Sequence, residues 1–282
     1  MTTPLPDVPP PELRYRRALR MGTSLRALWG ARHVVWNLGM RELRVRYNQA
    51  VLGFAWALLT PVVLMIVFSI FIKGASGVQV DTHGTSYPVF LYTGLLAWTF
   101  FASAVGSAGN ILVSNPLLNK VYAPREVFPL ATIGTSAVDA AAATAVLGLL
   151  FVLYQDWPQP TSYWAVPLIA ILGAYTIGIG LFFASLTVYL RDLRQALPLL
   201  LQVGLFVTPV IYGLNEIPAQ WRAVYVFLNP VAMVITELRE TVLWGHMPNY
   251  TYLAIGATSA VLTLVISYGI FKQLETGFAD VS

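Results

Sequence analysis

Six long stretches of the chain are almost wholly apolar, and each is separated from the next by a shorter segment carrying charge, proline or both. They run over Val51–Ile72, Pro88–Leu112, Val127–Tyr154, Trp164–Leu190, Ala196–Gly213 and Tyr252–Phe271. A helix needs about 20 apolar residues to cross roughly 30 Å of hydrocarbon, so the pattern predicts an all-α integral membrane protein with six transmembrane helices. The fifth stretch is the shortest, and Pro198 and Pro209 within it predict kinks, because proline removes a backbone donor. The first stretch begins only near residue 50, too deep for the short apolar core of a cleavable leader, and is expected to stay as a span.

The segments between the spans have patterns of their own. Pro4, Pro6, Pro9, Pro10 and Pro11 lie in the first eleven residues, so residues 1–23 are expected to form an extended or disordered tail. Residues 24–48 mix Leu25, Leu28, Trp29, Val35, Trp36, Leu38 and Leu43 with Arg26, Arg32, Arg41, Arg44 and Arg46. That mixture suits an amphipathic helix lying in the membrane interface; a solvated basic linker would leave two Trp in water. The six-span unit then occupies 49–282. Between the fifth and sixth stretches, Leu214–Tyr250 holds Trp221, Tyr225, Phe227, Trp244 and the helix-interrupting pair Asn229-Pro230. It is too long and too apolar for a plain loop, and is expected to dip back into the membrane or cap an opening.

Composition narrows the class. The 282 residues are 57% hydrophobic and 11% charged, against roughly 25% charged in an ordinary soluble domain, which excludes a soluble globular protein. Nine of the fourteen Arg fall in the first 46 residues, so the net charge of +4 is a local basic excess suited to a membrane surface rather than to nucleic acid. With an even number of spans and the N-terminus inside, fourteen Lys and Arg lie on the inner side and three on the outer, which predicts cytoplasmic termini. The chain contains no Cys, so a disulfide framework, a thiolate metal site and a Cys nucleophile are all unavailable.

Candidate chemistry is sparse. His33, His83 and His246 share no partner spacing, no HExxH pattern or paired carboxylate lies in a span, and no Gly is followed by Lys, so a phosphate-cradling loop is missing. No catalytic residue, metal site or cofactor is therefore expected on this chain, and any ATP is expected to bind another polypeptide. Asp139 is the one acidic residue within the apolar stretches, and it lies on one helical face with Thr132, Thr135 and Ser136. That face fits either interhelical hydrogen bonding or the polar lining of a conduit. Trp56, Phe68, Trp98, Phe100, Phe101 and Phe206 lie within or near the ends of spans, where flat rings could offer a sliding surface to sugars or simply pack against neighbours and lipid. The inner connection from Ser114 to Glu126 is short, amphipathic and bounded by Pro116 and Pro124, as a helix that docks in a partner's groove would be.

Taken together, six short segments resemble the membrane permeases of O-antigen, teichoic-acid and related polysaccharide ABC exporters, in the type-2 ABC permease superfamily. They are Arg41-Glu42-Leu43 with Arg46-Tyr47 leading into Leu52-Gly53-Phe54-Ala55-Trp56 and Pro61; Lys120-Val121-Tyr122 with Pro124-Arg125-Glu126 and Pro129; Tyr189-Leu190-Arg191-Asp192-Leu193; Pro209-Val210-Ile211-Tyr212; Leu228-Asn229-Pro230 with Arg239; and Phe271-Lys272 with Glu275 and Phe278-Ala279-Asp280. Ala123 departs from the aromatic more common in the family before Pro-Arg-Glu. The resemblance implies a homodimer working with two cytoplasmic ATPase subunits, which carry the ATP and Mg, in a bacterial inner membrane. The cargo it implies is a polyprenyl-pyrophosphate-linked glycan. It also implies a coupling helix with Asn115, Pro116, Leu117, Leu118, Lys120, Val121 and Tyr122, next to Arg125, with Trp221, Tyr225, Asn229 and Pro230 at an external gate and Tyr212 beside the conduit. Within the family the chain is similar to the galactan exporters of mycobacteria and related actinobacteria. Two rival classes are a drug or small-lipid exporter of the same superfamily and a membrane transferase acting on lipid-linked sugars.

Overall fold

A computed structural model describes residues 26, 28–48, 55–71, 80–114 and 124–278. Nine α-helices are described: α1 (Arg32–Asn48), α2 (Ala55–Phe68), α3 (Tyr87–Ser114), α4 (Val127–Tyr154), α5 (Ala165–Tyr189), α6 (Leu193–Val207), α7 (Ala219–Leu228), α8 (Pro230–Leu238) and α9 (Tyr250–Leu274). No strand occurs among the described residues. The chain is an all-α membrane protein, and α3, α4, α5 and α9 are each long and apolar enough to cross a bilayer. Ser114 and Val127 mark one end of the bundle, Tyr154 and Ala165 the other.

The two remaining expected spans are shorter. In the first, α2 covers Ala55–Phe68 and is followed by a π turn over 69–71, while 51–54 and 72 lie outside the described residues. In the fifth, α6 has 15 residues, about 22 Å of rise, and stops at Val207. Proline explains the stop: Pro209 disfavours helical geometry at the preceding residue, and Thr208 is extended with φ −77° and ψ 141°.

Packing places α3 in the middle. It contacts α2, α4, α5, α6 and α8, and two thirds of its apolar stretch (67%) is buried, against 22–33% in the other three long helices. On α4, Val138, Leu149, Val152 and Leu153 face outward, whereas Thr132, Thr135 and Ser136 are buried. The α5–α9 contact relies on a small residue: a Cβ at Gly178 would lie 2.9 Å from the backbone of Leu264.

Of the basic interfacial helix expected over 24–48, α1 covers Arg32–Asn48, and it runs alongside the first half of α4 in the same direction. Gly39 lies against Ala131, and Arg46 lies against Asp139. The segment 219–238 folds as a helical hairpin that re-enters the bundle. Its turn at Leu228–Pro230 reaches the level of Ser259, whose hydroxyl donates to the Phe227 carbonyl at 2.5 Å. That level is nine residues, about 14 Å, inside the start of α9.

Gly178→Val should force α5 and α9 apart, with an overpacking cost of about 1–3 kcal/mol. A melting temperature in detergent lowered by several degrees, with Gly134→Ala unchanged because open space surrounds Gly134, is the expected result.

Candidate functional site

The early end of α6 leaves a row of backbone carbonyls without helical partners, and such groups are costly if buried unpaired. Side chains answer nearly all of them. Tyr212 donates its hydroxyl to the carbonyls of Phe206 and Val207 at 3.1 and 2.8 Å, and Tyr225 of α7 donates to Val207 as well. Tyr87 donates to Ile211 at 3.3 Å. Arg239 supplies the rest: Nη1 donates to Pro209 and Tyr212 at 2.9 and 3.1 Å, and Nη2 to Val210 at 2.5 Å.

Arg239 is only 1% exposed. Its Nε reaches the Phe90 carbonyl at 3.2 Å, and its guanidinium lies 3.6 Å from the centroid of the Phe90 ring. Among the described residues no carboxylate is bonded to it; carbonyl dipoles and an aromatic face carry the charge, which a planar guanidinium with five donors can exploit and an ammonium cannot. A Cβ at Gly94 would lie 2.5 Å from Nη2, so the absence of a side chain there makes the room. Arg239 opens a π turn over Arg239–Leu243 that continues α8.

Asn229 completes this clasp. Its Oδ1 accepts from the Ala232 amide at 3.3 Å, capping α8, with Pro230 at the first helical position, and its Nδ2 donates to Thr208 Oγ1 at 2.9 Å. The hairpin and the broken end of α6 are thereby one polar unit. Glu237, buried near the end of α8, accepts from the Asn249 amide at 2.9 Å, and burial pushes its carboxyl up to about 7.

A second cluster forms at the Ser114 end. Glu126, fully buried, accepts from Lys272 Nζ at 2.7 Å and from the Tyr268 hydroxyl at 3.4 Å. Lys272 also donates to Glu275 at 2.8 Å, Glu275 accepts from the Arg125 amide at 3.4 Å, and the Arg125 guanidinium sits 5.5 Å from the Phe278 ring centroid. Tyr189 donates to the Leu274 carbonyl at 2.7 Å. The residues that follow the expected coupling helix are thus fixed to the C-terminal end of α9.

Between the clusters, α3, α5 and α6 enclose an aromatic cleft of about 170 Å³ that includes Trp98, Phe101, Tyr175 and Phe183, with Thr208 and Asn229 at its polar limit. The structure therefore brings together two of the expected conduit residues, Trp98 and Phe101. Phe68 meets Phe206 edge-on, 6.2 Å between centroids, joining the short helices α2 and α6. Trp56 is exposed on α2, and Phe100 packs beside Ala104, Ala108 and Ile133. Asp139 lies apart from these rings: it accepts from Arg46 Nη1 at 2.8 Å and from the Tyr47 hydroxyl at 2.7 Å, while Ser136 meets Ser103 of α3 at 3.2 Å. Burial, with the Asp139 carboxylate adding to it, pushes the Tyr47 hydroxyl up to about 12. Tyr225 and Asn229 belong to the clasp and Trp221 is exposed on α7. Asn115, Pro116, Leu117, Leu118, Lys120, Val121 and Tyr122 lie outside the described residues; Arg125 lies within them. Among the described residues, no group of three or more His, Asp or Glu is placed to hold a metal ion.

Sequence reasoning missed the roles of Arg239, Glu126 and Lys272. Their only signal was membership in the short segments quoted above, which the fold gathers into these two clusters.

Comparison with known proteins follows the same lines. The sequence pattern of the ABC-2 type transporter family matches residues 33–243. Two O-antigen export system permease proteins of Klebsiella pneumoniae are 28% and 27% identical over 243 and 266 residues, covering 86% and 94% of this chain and 92% and 99% of theirs. A polysialic acid transport protein of Escherichia coli is 29% identical over 245 residues, 84% of this chain and 92% of its own.

Two outcomes test the clusters. Lys272→Met leaves the Glu126 carboxylate buried without its partner and should cost about 3–5 kcal/mol, most of it restored in the double variant Lys272→Met/Glu126→Gln, as read by thermal unfolding in detergent. Arg239→Lys keeps the charge but loses the planar fork, and should lower both the melting temperature and transport; a variant indistinguishable from the parent would remove Arg239 from its central place.

Proposed function

The chain belongs to the ABC-2 type transporter family, and on that premise we propose that it is the membrane subunit of an ATP-driven polysaccharide exporter. One observation carries the reading: export permeases for O-antigen and for polysialic acid align with the chain over nearly their whole lengths. The chain is a multi-pass membrane permease. In the finer reading, the cargo is a polyprenyl-pyrophosphate-linked glycan, a galactan in the narrowest form, moved from the cytoplasm to the outer side of the bacterial inner membrane. Two copies of the chain pair with two ATPase subunits, which bind ATP and Mg.

Several features support that reading. The basic excess of the N-terminal region favours cytoplasmic termini, and this puts the Ser114 end of the bundle inside. Helix α3 then ends on the ATPase side at Ser114, and the start of α4 there is clamped by Glu126, Lys272 and Glu275, so a push at that point would be passed to α4 and α9 together. The short helix α2, the π turn after it and α6 expose Val63, Ile66, Val67 and Ile70 beside Leu199, Val203 and Phe206, an apolar and aromatic face available to a second copy and to a sliding chain. The re-entrant hairpin sits at the outer mouth, where a gate is needed.

The test is reconstitution. The purified chain should hydrolyse no ATP alone, and turnover should appear when the ATPase subunit co-assembles. Leu117→Asp and Val121→Asp place a charge in a desolvated contact and should abolish ATPase co-purification and glycan export. Lys120→Ala should change either by no more than about fivefold, since an exposed ion pair is worth about 0–1 kcal/mol. Normal co-purification and export in both Asp variants would sink the coupling assignment.

A further inference from the structure

At the Tyr154 end, outside the aromatic cleft, a cavity of about 250 Å³ opens between three connections. Thr85 from the segment before α3, Gln155, Asp156, Trp157 and Gln159 from the α4–α5 connection, and Leu243 from the π turn line it. Trp157 is 58% exposed, and Leu243 is buried beneath the polar groups. We infer that this cavity is a binding site for a neutral sugar residue of a glycan on the outer face, a step that rests on the exporter reading and on its orientation.

The chemistry of the lining carries the argument. A pyranose has one face of C–H groups and a rim of hydroxyls. The first suits the electron-rich face of an exposed indole, and the second requires donors and acceptors close together. Asp156 offers the acceptor: its Oδ2 accepts from the Ser86 amide at 2.9 Å, and among the described residues no hydrogen bond reaches Oδ1. Gln155 donates through Nε2 to the Val152 carbonyl at 2.8 Å, which leaves its side-chain oxygen for a ligand. Gln159 and Thr85 add an amide and a hydroxyl. Among the described residues no Lys or Arg lines the cavity and a carboxylate does, which disfavours phosphate, pyrophosphate and acidic sugars.

The site is also held in shape. Gln155 sits in the left-handed region at φ 58°, where the chain leaves α4. The Gln159 amide donates to the Val242 carbonyl at 2.9 Å, and Thr161 Oγ1 donates to the Thr241 carbonyl at 2.5 Å. The connection is therefore tied to the π turn that begins at Arg239, so little backbone ordering remains to oppose binding.

The experiment uses the full chain in lipid nanodiscs without ATPase. The probes are a galactan tetrasaccharide, a mannan tetrasaccharide and an oligosialic acid tetramer, each free of lipid, and the readout is saturation-transfer difference NMR. A neutral probe should bind in the millimolar range, with saturation strongest on ring C–H protons. Trp157→Ala should remove the signal, Trp157→Phe should keep part of it, and Asp156→Ala should lower it at least fivefold. Trp36→Ala, at an exposed residue of α1, should leave it unchanged. No signal from either neutral probe, a signal only from oligosialic acid, or a signal unaltered in Trp157→Ala would overturn the inference. Because binding is read without transport, failure of glycan export in the reconstituted complex would count against the exporter reading and leave the site standing.

Discussion

A helix that ends inside a protein leaves carbonyls that must find donors, and the early end of α6 imposes this condition on everything around it. Pro209 stops the helix, and the carbonyls of residues 206, 207 and 209–212 then call for hydroxyls and a guanidinium. Arg239 can meet them only if the hairpin brings α8 back into the bundle, if Asn229 turns the chain beside Thr208, and if residue 94 has no side chain. Replacing that arginine by an apolar residue would strand Pro209, Val210 and Tyr212 at once. The clasp is also where a gate could work. Its bonds end on backbone atoms of an irregular segment, which can be exchanged for other partners with less disruption than a packed helix face.

The second cluster is built on a different principle. Glu126 and Lys272 are opposite charges in a nearly dry place, and each is tolerable only because the other is there. Such a pair favours one arrangement over its neighbours more than it adds stability. Here it fixes the start of α4 against the end of α9, and Glu275 and Phe278 extend the contact to Arg125. Helix α9 runs from this cluster to the level where Ser259 and Gly256 meet the hairpin, through Phe227 and Met233. One rigid rod therefore touches the structures at both ends, a physical route by which a displacement at one end could bias the other.

Much of the architecture was legible in the sequence, because membrane helices advertise themselves by length and hydropathy alone. The four long helices fall where the apolar runs lie, and Asn229-Pro230 marks the hairpin turn, since an Asn cap followed by proline is a local signal. What was illegible is what depends on distance along the chain. Arg239 counts in the sequence as one outer charge, and only the fold reveals that carbonyls contributed 27 to 30 residues earlier surround it. Glu126 and Lys272 are separated by 146 residues. Asp139 has a polar face with Thr132, Thr135 and Ser136, but both threonines bond back to their own helix, and the partner of the carboxylate comes from α1. Period and spacing report which face a residue occupies; they carry no information on what the facing element brings.

The pairing of Arg46 with Asp139 also bears on how the chain is made. Arg46 leaves the ribosome 93 residues before the carboxylate that neutralises it. At about 5–20 residues per second, it waits on the order of 5–20 s for that partner. Until α4 is made, the Arg46–Asp139 ion pair cannot form. The alignment of α1 along α4 is accordingly a late event of biogenesis, possible only after three further helices have been delivered to the bilayer.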